Sequence, residues 1–263
     1  MDVVADLHVH TTASDGRLPL SALPAAARRA GVTAVAVTDH DRLHPGLDAP
    51  VTVRDGVTIV RGVELQVESP TGRVDLLGYG VRETPALRAE LHRIQADRVT
   101  RARRMTGRIE DRLGVALDVS FEPGVGRPHV ARAVAESDAD CDYAGAFERF
   151  IGDDGPCYVA RDVPSVEYGV ALLSEAAAVV SLAHPFRYAD TDGALDVASA
   201  LDAVERYYPY DRPVDEARLD RLIETEGLLA TGGSDAHDRR LGVAGLDRER
   251  WRRVASRLPD AQS

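Results

Sequence analysis

Val3-Val4-Ala5-Asp6-Leu7-His8-Val9-His10 (residues 3–10) is an apolar run that ends in alternating histidines, and its reading decides the fold. Alternate residues of a strand share a face, so His8 and His10 project together while Leu7 and Val9 turn the other way. The same grammar, a short run closing on an imidazole beside an aspartate, returns at Thr38-Asp39-His40-Asp41 and at Ser234-Asp235-Ala236-His237. Groups so far apart in sequence meet only if their strands stand side by side in a barrel. In a parallel barrel the functional groups lie where strands run out into the following loops.

Working outward, Leu20 to Ala30 is alanine-rich and closed by Gly31, which reads as a first helix. Thr33 to Thr38 is a second strand. Val57 to Val67 and Val74 to Val81 are further strands, with Pro70-Thr71-Gly72 as the turn between them. This alternation predicts a mostly parallel, barrel-like sheet. From Thr84 the spacing becomes helical: Leu87, Leu91, Ile94, Ala102, Met105, Ile109 and Leu113 follow three- and four-residue steps up to Gly114. Pro128 to Glu136 and Tyr143 to Ile151 read as helices too. Barrel grammar resumes with a helix at Ser165 to Ala178 and the strand Val179 to Ala183, which delivers His184-Pro185. Val204 to Tyr207 and Leu228 to Thr231 are expected strands, and Glu216 to Thr225 and Arg248 to Leu258 expected helices. The domain expectation is therefore a barrel formed by 1–84 and 161–263, interrupted by a helical insertion, 85–160, over the barrel's mouth.

Length agrees: 263 residues are many for an ordinary single domain but normal for an α/β barrel. No apolar run approaches the ~20 residues a membrane helix needs. The first motif begins at Asp6, leaving no room for a signal peptide. The sequence thus predicts a soluble, cytoplasmic protein. Its net charge is -11, and every basic residue is an arginine. Without lysine, Schiff-base chemistry and a phosphate-binding P-loop are both excluded, since each needs an ε-ammonium. Cys141 and Cys157 are too few for a disulfide framework and too far apart for a Cys-x-x-Cys site, so they read as free thiols.

The chemistry-bearing residues are His8, His10, Asp15, His40, Glu64, His184, Asp235 and His237, all at expected strand ends or in the loops after them. A lone His-x-His is more often a hydrogen-bonded core element than a ligand pair, and His184 before a proline is by itself more often structural. Their joint occurrence at successive strand ends favours one shared metal centre. Imidazole and carboxylate without thiolate suit two or three divalent ions, Mn first, with Zn, Fe or Mg as alternatives. Asp6 shares the face of His8 but lies deeper, and is expected to orient an imidazole. Asp39 points away from His40 and is open to two readings, a helix cap or a metal contact. His44 and His92 lack partners at ligand spacing.

With these residues assembled, the chain resembles the PHP family of polymerase and histidinol phosphatase domains. Asp6-Leu7-His8-Val9-His10-Thr11, Ser14-Asp15-Gly16, Thr38-Asp39-His40-Asp41, Gly62-Val63-Glu64, Ala183-His184-Pro185 and Gly232-Gly233-Ser234-Asp235-Ala236-His237 match its motifs in order. The resemblance implies an α/β fold, a distorted (β/α)7 TIM-like barrel with a helical insertion, and a trinuclear centre performing phosphoester hydrolysis. By that resemblance His8, His10, Glu64 and Asp235 would hold one ion, Asp15, His40 and His237 another, and Glu64, His184 and Asp75 the third. The family branch usually shows a histidine where this chain has Asp75, which gives the third site a harder, more negative ligand. The insertion and Gly126-Arg127-Pro128-His129 look like the branch of nucleoside 3',5'-bisphosphate phosphatases and 5'-to-3' exoribonucleases, in which Arg127 and His129 would grip phosphate.

Arg98 and Arg101 break the apolar stripe of the insertion helix where a core residue is called for. A solvated arginine face accounts for most such clusters. Burial of arginine is costly unless it faces an anion or a cleft, so these two are expected to line the mouth and hold a second phosphate or the next nucleotide. Chemistry then follows from charge: metals lower the pKa of a bridging water and stabilise the oxyanions of an in-line displacement at phosphorus. The leading expectation is a metal-dependent phosphoesterase acting on phosphomonoesters of small metabolites or nucleotides. A 5'-to-3' exonuclease on short RNA or DNA is the alternative, and a non-catalytic metal-stabilised module a third. The overall negative charge argues against a stable complex with long nucleic acid.

Overall fold

The computed structural model describes residues 2–262 and divides into two compact units. One takes in the chain up to Ala89 and again from Val163; the other is Glu90–Asp162.

The first unit is built on eight strands: β1 (Ala5–Val9), β2 (Ala34–Val37), β3 (Val51–Arg54), β4 (Val57–Ser69), β5 (Gly72–Tyr79), β6 (Val179–Leu182), β7 (Ala203–Tyr207) and β8 (Leu229–Gly232). Seven follow one path, β1-β2-β4-β5-β6-β7-β8, and β3 pairs with β4 from the side. The helices α1 (Leu23–Arg29), α5 (Val166–Ala176), α6 (Thr191–Ala198), α7 (Glu216–Glu226) and α8 (Arg248–Ala255) belong to this unit. Their starts follow elementary capping: Ser165, Asp190, Asp215 and Asp247 each accept a hydrogen bond from a first-turn N–H. Gly227 ends α7 in the left-handed conformation, φ 67°.

The curled α/β sheet is that of the expected TIM-like barrel. Its edges meet where Val9 bridges Ala236: Ala236 N–H donates to His8 O at 3.1 Å and His10 N–H to Ala236 O at 3.0 Å. The β1-β2, β2-β4, β6-β7 and β7-β8 pairs are parallel, whereas β5 is antiparallel to both β4 and β6. The cause is local. Ser69 pairs with Gly72, leaving two residues for the connection, and strands joined by so short a turn can only run in opposite directions. The turn is thus Pro70-Thr71, one residue tighter than the sequence suggested, and Gly72 takes φ 125°.

Apolar packing lies on both sides of the strands. Leu7, Ala36, Val60, Leu77 and Val179 belong to one buried cluster, and Val9, Val35, Val37, Leu23 and Ile59 to another. Three elements escaped the sequence reading: β3, four residues in a polar context, α6, whose Thr191-Asp192-Gly193 start lacks an apolar stripe, and the short 3-10 turn Pro185–Arg187.

The second unit contains most of α2 (Pro85–Leu113), then α3 (Arg127–Glu136), α4 (Tyr143–Ala146) and a π-helical turn at Phe147–Ile151. Its core gathers Ala102, Met105, Ile109, Val130, Val134, Phe150, Ile151 and Cys157. The expected helix 143–151 therefore changes winding at Phe147. Among the described residues no helix is long and apolar enough to cross a membrane.

At Gly233, beside the edge closure, there is no room for a side chain. A Cβ on Gly233 would lie 2.2 Å from His8 N and 2.4 Å from His8 Cβ. Gly233→Ala is expected to cost about 2–4 kcal/mol of unfolding free energy, read by denaturant titration of metal-free protein.

Candidate metal centre

His8, His10, Asp15, His40, Glu64, His184, Asp235 and His237 converge at one end of the barrel. Glu64 lies at the centre. Its Oε1 is 3.3 Å from His8 Nε2 and 3.1 Å from His184 Nε2, and its Oε2 is 2.7 Å from His40 Nδ1 and 3.4 Å from His10 Nε2. Asp235 Oδ1 stands 3.1 Å from His10 Nε2 and 3.5 Å from His8 Nε2. Asp15 faces the outer pair, with Oδ1 3.3 Å from His237 Nε2 and Oδ2 3.8 Å from His40 Nε2.

Each position has a local cause. His8 lies on β1 and His10 directly after its last residue, with ring centroids 5.2 Å apart. Glu64 is brought level with His40 by a parallel bridge that continues the β2-β4 pairing beyond the end of β2. His184 and Asp235 follow β6 and β8 with φ of 27° and 49°, left-handed values that β-strand residues rarely take. That turn swings both side chains into the cluster.

The donor atoms fall into three groups, each with its ligand atoms within 4.8 Å of one another: His8, Glu64 and His184; His8, His10 and Asp235; and His10, Asp15, His40 and His237. Several buried atoms of the cluster, His8 Nε2, both ring nitrogens of His10, Asp15 Oδ1, Glu64 Oε2 and His184 Nδ1, make no properly directed hydrogen bond. Buried nitrogen and oxygen atoms that approach each other without bonding are what a cation site requires. The set fits divalent ions preferring imidazole and carboxylate, and no cysteine belongs to any of the three groups. Asp75 stands apart from the three groups. Its Oδ2 is 3.9 Å from His184 Nε2, and its Oδ1 accepts from Gln66 Nε2 at 3.0 Å. It reaches this end from the first half of β5, the strand that runs in reverse.

Burial alone would push carboxylates up and imidazoles down, and the cluster overrides this. Against burial, His40 and His8 hold the Glu64 carboxyl well below its usual range. Asp235 is likewise held down by His8 and His10, and Asp15 by His40 and His237. His8 is raised well above 6.5 because Glu205, Asp235 and Glu64 outweigh its burial. His10 is lowered by burial and by its neighbours His40 and His237.

Three residues that the sequence reading missed support the cluster. Glu205, fully buried on β7, accepts from His8 Nδ1 at 3.1 Å and from His184 N–H at 2.8 Å. It therefore fixes the His8 tautomer and turns Nε2 toward Glu64. This is the role expected of Asp6, and the structure corrects that expectation: Asp6 instead accepts from Ser234 N–H, Ser234 Oγ and Gly242 N–H at 2.7–2.8 Å, because its end of the pleat meets the 234–242 loop. Tyr208 Oη and Arg187 Nη1 donate to Asp235 Oδ2 at 2.9 and 3.0 Å. A signal for Glu205 was present, a carboxylate inside the apolar run Ala203-Val204-Glu205, but a sequence separation of 197 from His8 hid its partner. Asp39 neither caps a helix nor joins the metal groups. It accepts from Thr11 N–H, Thr11 Oγ1 and Ser14 Oγ at 2.6–2.8 Å and so pins the loop carrying Asp15.

The residues expected to bind phosphate, Arg98, Arg101, Arg127 and His129, all lie in the second unit. Arg98 and Arg101 are each 4% exposed. Arg98 Nε donates to Val125 O at 3.0 Å, and its Nη2 lies 2.9 Å from where a Cβ on Gly126 would be, so glycine there seats the guanidinium. Arg101 Nε donates to Val159 O. Burial, then the neighbouring Arg161 and Arg127, push Arg101 down to about 9, which reflects a crowd of guanidinium groups. Arg127 Nη1 donates to Asp153 Oδ1 at 2.7 Å, and His129 Nδ1 accepts from Gly126 N–H at 3.1 Å at the start of α3.

The chain is similar to known proteins over most of its length. The model of the PHP domain family matches residues 6–148. The chain is 30% identical over 258 residues to a 3',5'-nucleoside bisphosphate phosphatase of Chromobacterium violaceum, covering 88% of this chain and 86% of that protein. It is 28% identical over 250 residues to the 5'-3' exoribonuclease Rnm of Escherichia coli, covering 89% and 85%. A solved structure from Bifidobacterium adolescentis shares the fold, with a TM-score of 0.81 at 24% identity over 97% of this chain and 96% of that one.

Two predictions follow from the charge arrangement. Glu205→Gln is expected to weaken divalent-metal affinity about tenfold to a hundredfold, measured by competition with a chromogenic chelator. The depressed Glu64, Asp15 and Asp235 stabilise the metal-free fold above the ordinary carboxylate range, a contribution lost as pH falls through their lower folded values. The raised His8 contributes fully below 6.5 and ceases to do so as pH rises through its folded value. Metal-free protein should thus melt highest between those limits, and thermal scans should show divalent metal stabilising it more as pH rises, because a ligand imidazole must be neutral.

Proposed function

Because the chain belongs to the PHP family and is a metal-dependent phosphoesterase, we propose that it removes a phosphate from a small phosphorylated nucleotide or metabolite, with a nucleoside 3',5'-bisphosphate as the favoured substrate. The observation that carries the reading is the cluster around Glu64, where several buried imidazole nitrogens and carboxylate oxygens approach one another without directed hydrogen bonds. The overall match to the bisphosphate phosphatase of Chromobacterium violaceum supports the choice of substrate.

His8, His10, Glu64 and Asp235 would hold one ion, Asp15, His40 and His237 a second, and Glu64 and His184 with Asp75 a third. Mn is the ion we assign first, and the cytoplasm the compartment. Cations there supply charge to phosphate oxygens and lower the pKa of water. The chain's own part is to deliver lone pairs in fixed directions. Glu205 keeps a proton on His8 Nδ1, which leaves Nε2 as the donor atom. The Asp235 carbonyl oxygen does the same for His237, whose Nδ1 donates to it at 3.0 Å. Tyr208 and Arg187 occupy Asp235 Oδ2 and reserve Oδ1. Arg127 and His129 are assigned to substrate phosphate, and Arg98 and Arg101 to a second phosphate or the next nucleotide, on the pattern of the sequence.

A second reading, trimming of short RNA or DNA from the 5' end, is favoured by the match to the exoribonuclease. Purified protein assayed with Mn should separate the two. A larger kcat/KM for a nucleoside 3',5'-bisphosphate than for a 5'-phosphorylated trinucleotide is expected, and the reverse order would establish the nuclease reading. Chelator should abolish both activities and Mn restore them, while Glu64→Gln should lower kcat at least about a hundredfold.

A further inference from the structure

Arg187 ends the short 3-10 turn Pro185–Arg187 that follows His184. Its Nη1 donates to Asp235 Oδ2 and to the Tyr208 hydroxyl, both at 3.0 Å, and the Tyr208 hydroxyl donates to the same Oδ2 at 2.9 Å. The guanidinium lies over the Tyr208 ring, 6.0 Å from its centroid.

These contacts occupy one nitrogen of five N–H donors. Nε and Nη2 make no hydrogen bond to any described residue, and the side chain is 54% exposed. An arginine serving only as counter-charge would gain most by meeting both oxygens of a carboxylate in a parallel fork. Here Asp235 Oδ1 is directed to His10 and His8 instead, and the guanidinium is anchored by one corner with its other edge turned outward. A planar cation fixed beside the cluster, with donors to spare, has the geometry that phosphate oxygens match.

We propose that Arg187 is a phosphate-binding residue of this centre, with Tyr208 as the positioning residue that sets its plane. The inference rests on the phosphoesterase reading for its ligand but on none of the residues of the second unit. The anchored corner keeps the guanidinium from swinging away, and Nε and Nη2 take two oxygens of the phosphoryl group presented beside Asp235.

The test compares Arg187→Gln, Arg187→Lys and Tyr208→Phe with the unaltered protein and with Asp235→Asn, each loaded with Mn. Three quantities are read: metal per chain by elemental analysis, affinity for inorganic phosphate by calorimetry, and KM and kcat for a nucleoside 3',5'-bisphosphate. Arg187→Gln should keep the full metal complement, bind phosphate roughly tenfold or more weakly and raise KM. Arg187→Lys, which keeps the charge and loses the fork, and Tyr208→Phe should both fall between. Unchanged phosphate affinity in Arg187→Gln overturns the proposal. So does a loss of metal matching that of Asp235→Asn, because Arg187 would then act only through that carboxylate. If Arg187→Gln fails to fold, the lysine and phenylalanine variants carry the same comparison. A protein that binds phosphate through Arg187 yet hydrolyses no phosphoester would refute the proposed function and leave this assignment standing.

Discussion

The structure depends on holding several like-charged groups together where little water screens them. Glu64 and Asp15 are buried carboxylates and Asp235 a partly buried one, all within reach of five imidazoles, and their mutual arrangement is tolerable only because imidazoles separate them around Glu64. Removing one partner strands a charge, so the cluster holds or fails as a unit. A divalent ion relieves this tension better than protons do, because it satisfies several lone pairs at once.

Around the cluster lies a ring of buried polar residues with a different task. Asp39 pins the loop after β1, Asp6 pins the loop after β8, and Glu205 reaches both His8 and His184. Each of these carboxylates binds backbone N–H groups of segments remote in sequence and thereby fixes where the ligand-bearing loops begin. The barrel's edge closure at Val9 and Ala236 works toward the same end, since it sets the height of His8 and His10 against Asp235.

Much of this was legible in the sequence. The inward pairs on β1, the imidazole after β2, Glu64 and the His184 and Asp235 motifs could be read because side-chain alternation along a strand is a local property. What escaped depends on contacts between distant segments. Asp6 was expected to serve an imidazole and Glu205 was overlooked, because which buried carboxylate meets which ring is decided by how β1 and β7 stack in space. The reversal of β5 was implicit in the tight Pro70-Thr71 turn, yet a reading built on alternation alone favoured parallel neighbours. The stripe-breaking Arg98 and Arg101 were singled out correctly as unusual, and their burial against backbone carbonyls of Val125 and Val159 is a tertiary matter that spacing cannot convey.

The left-handed backbone at His184 and Asp235 carries a wider consequence. A residue free of Cβ would sit there with less strain, so the chain would fold more comfortably with glycine at both places and would then lack two of its clustered side chains. Carrying side chains there sets the durability of the scaffold against its chemistry, so that comfort and usefulness pull in opposite directions at the same two residues.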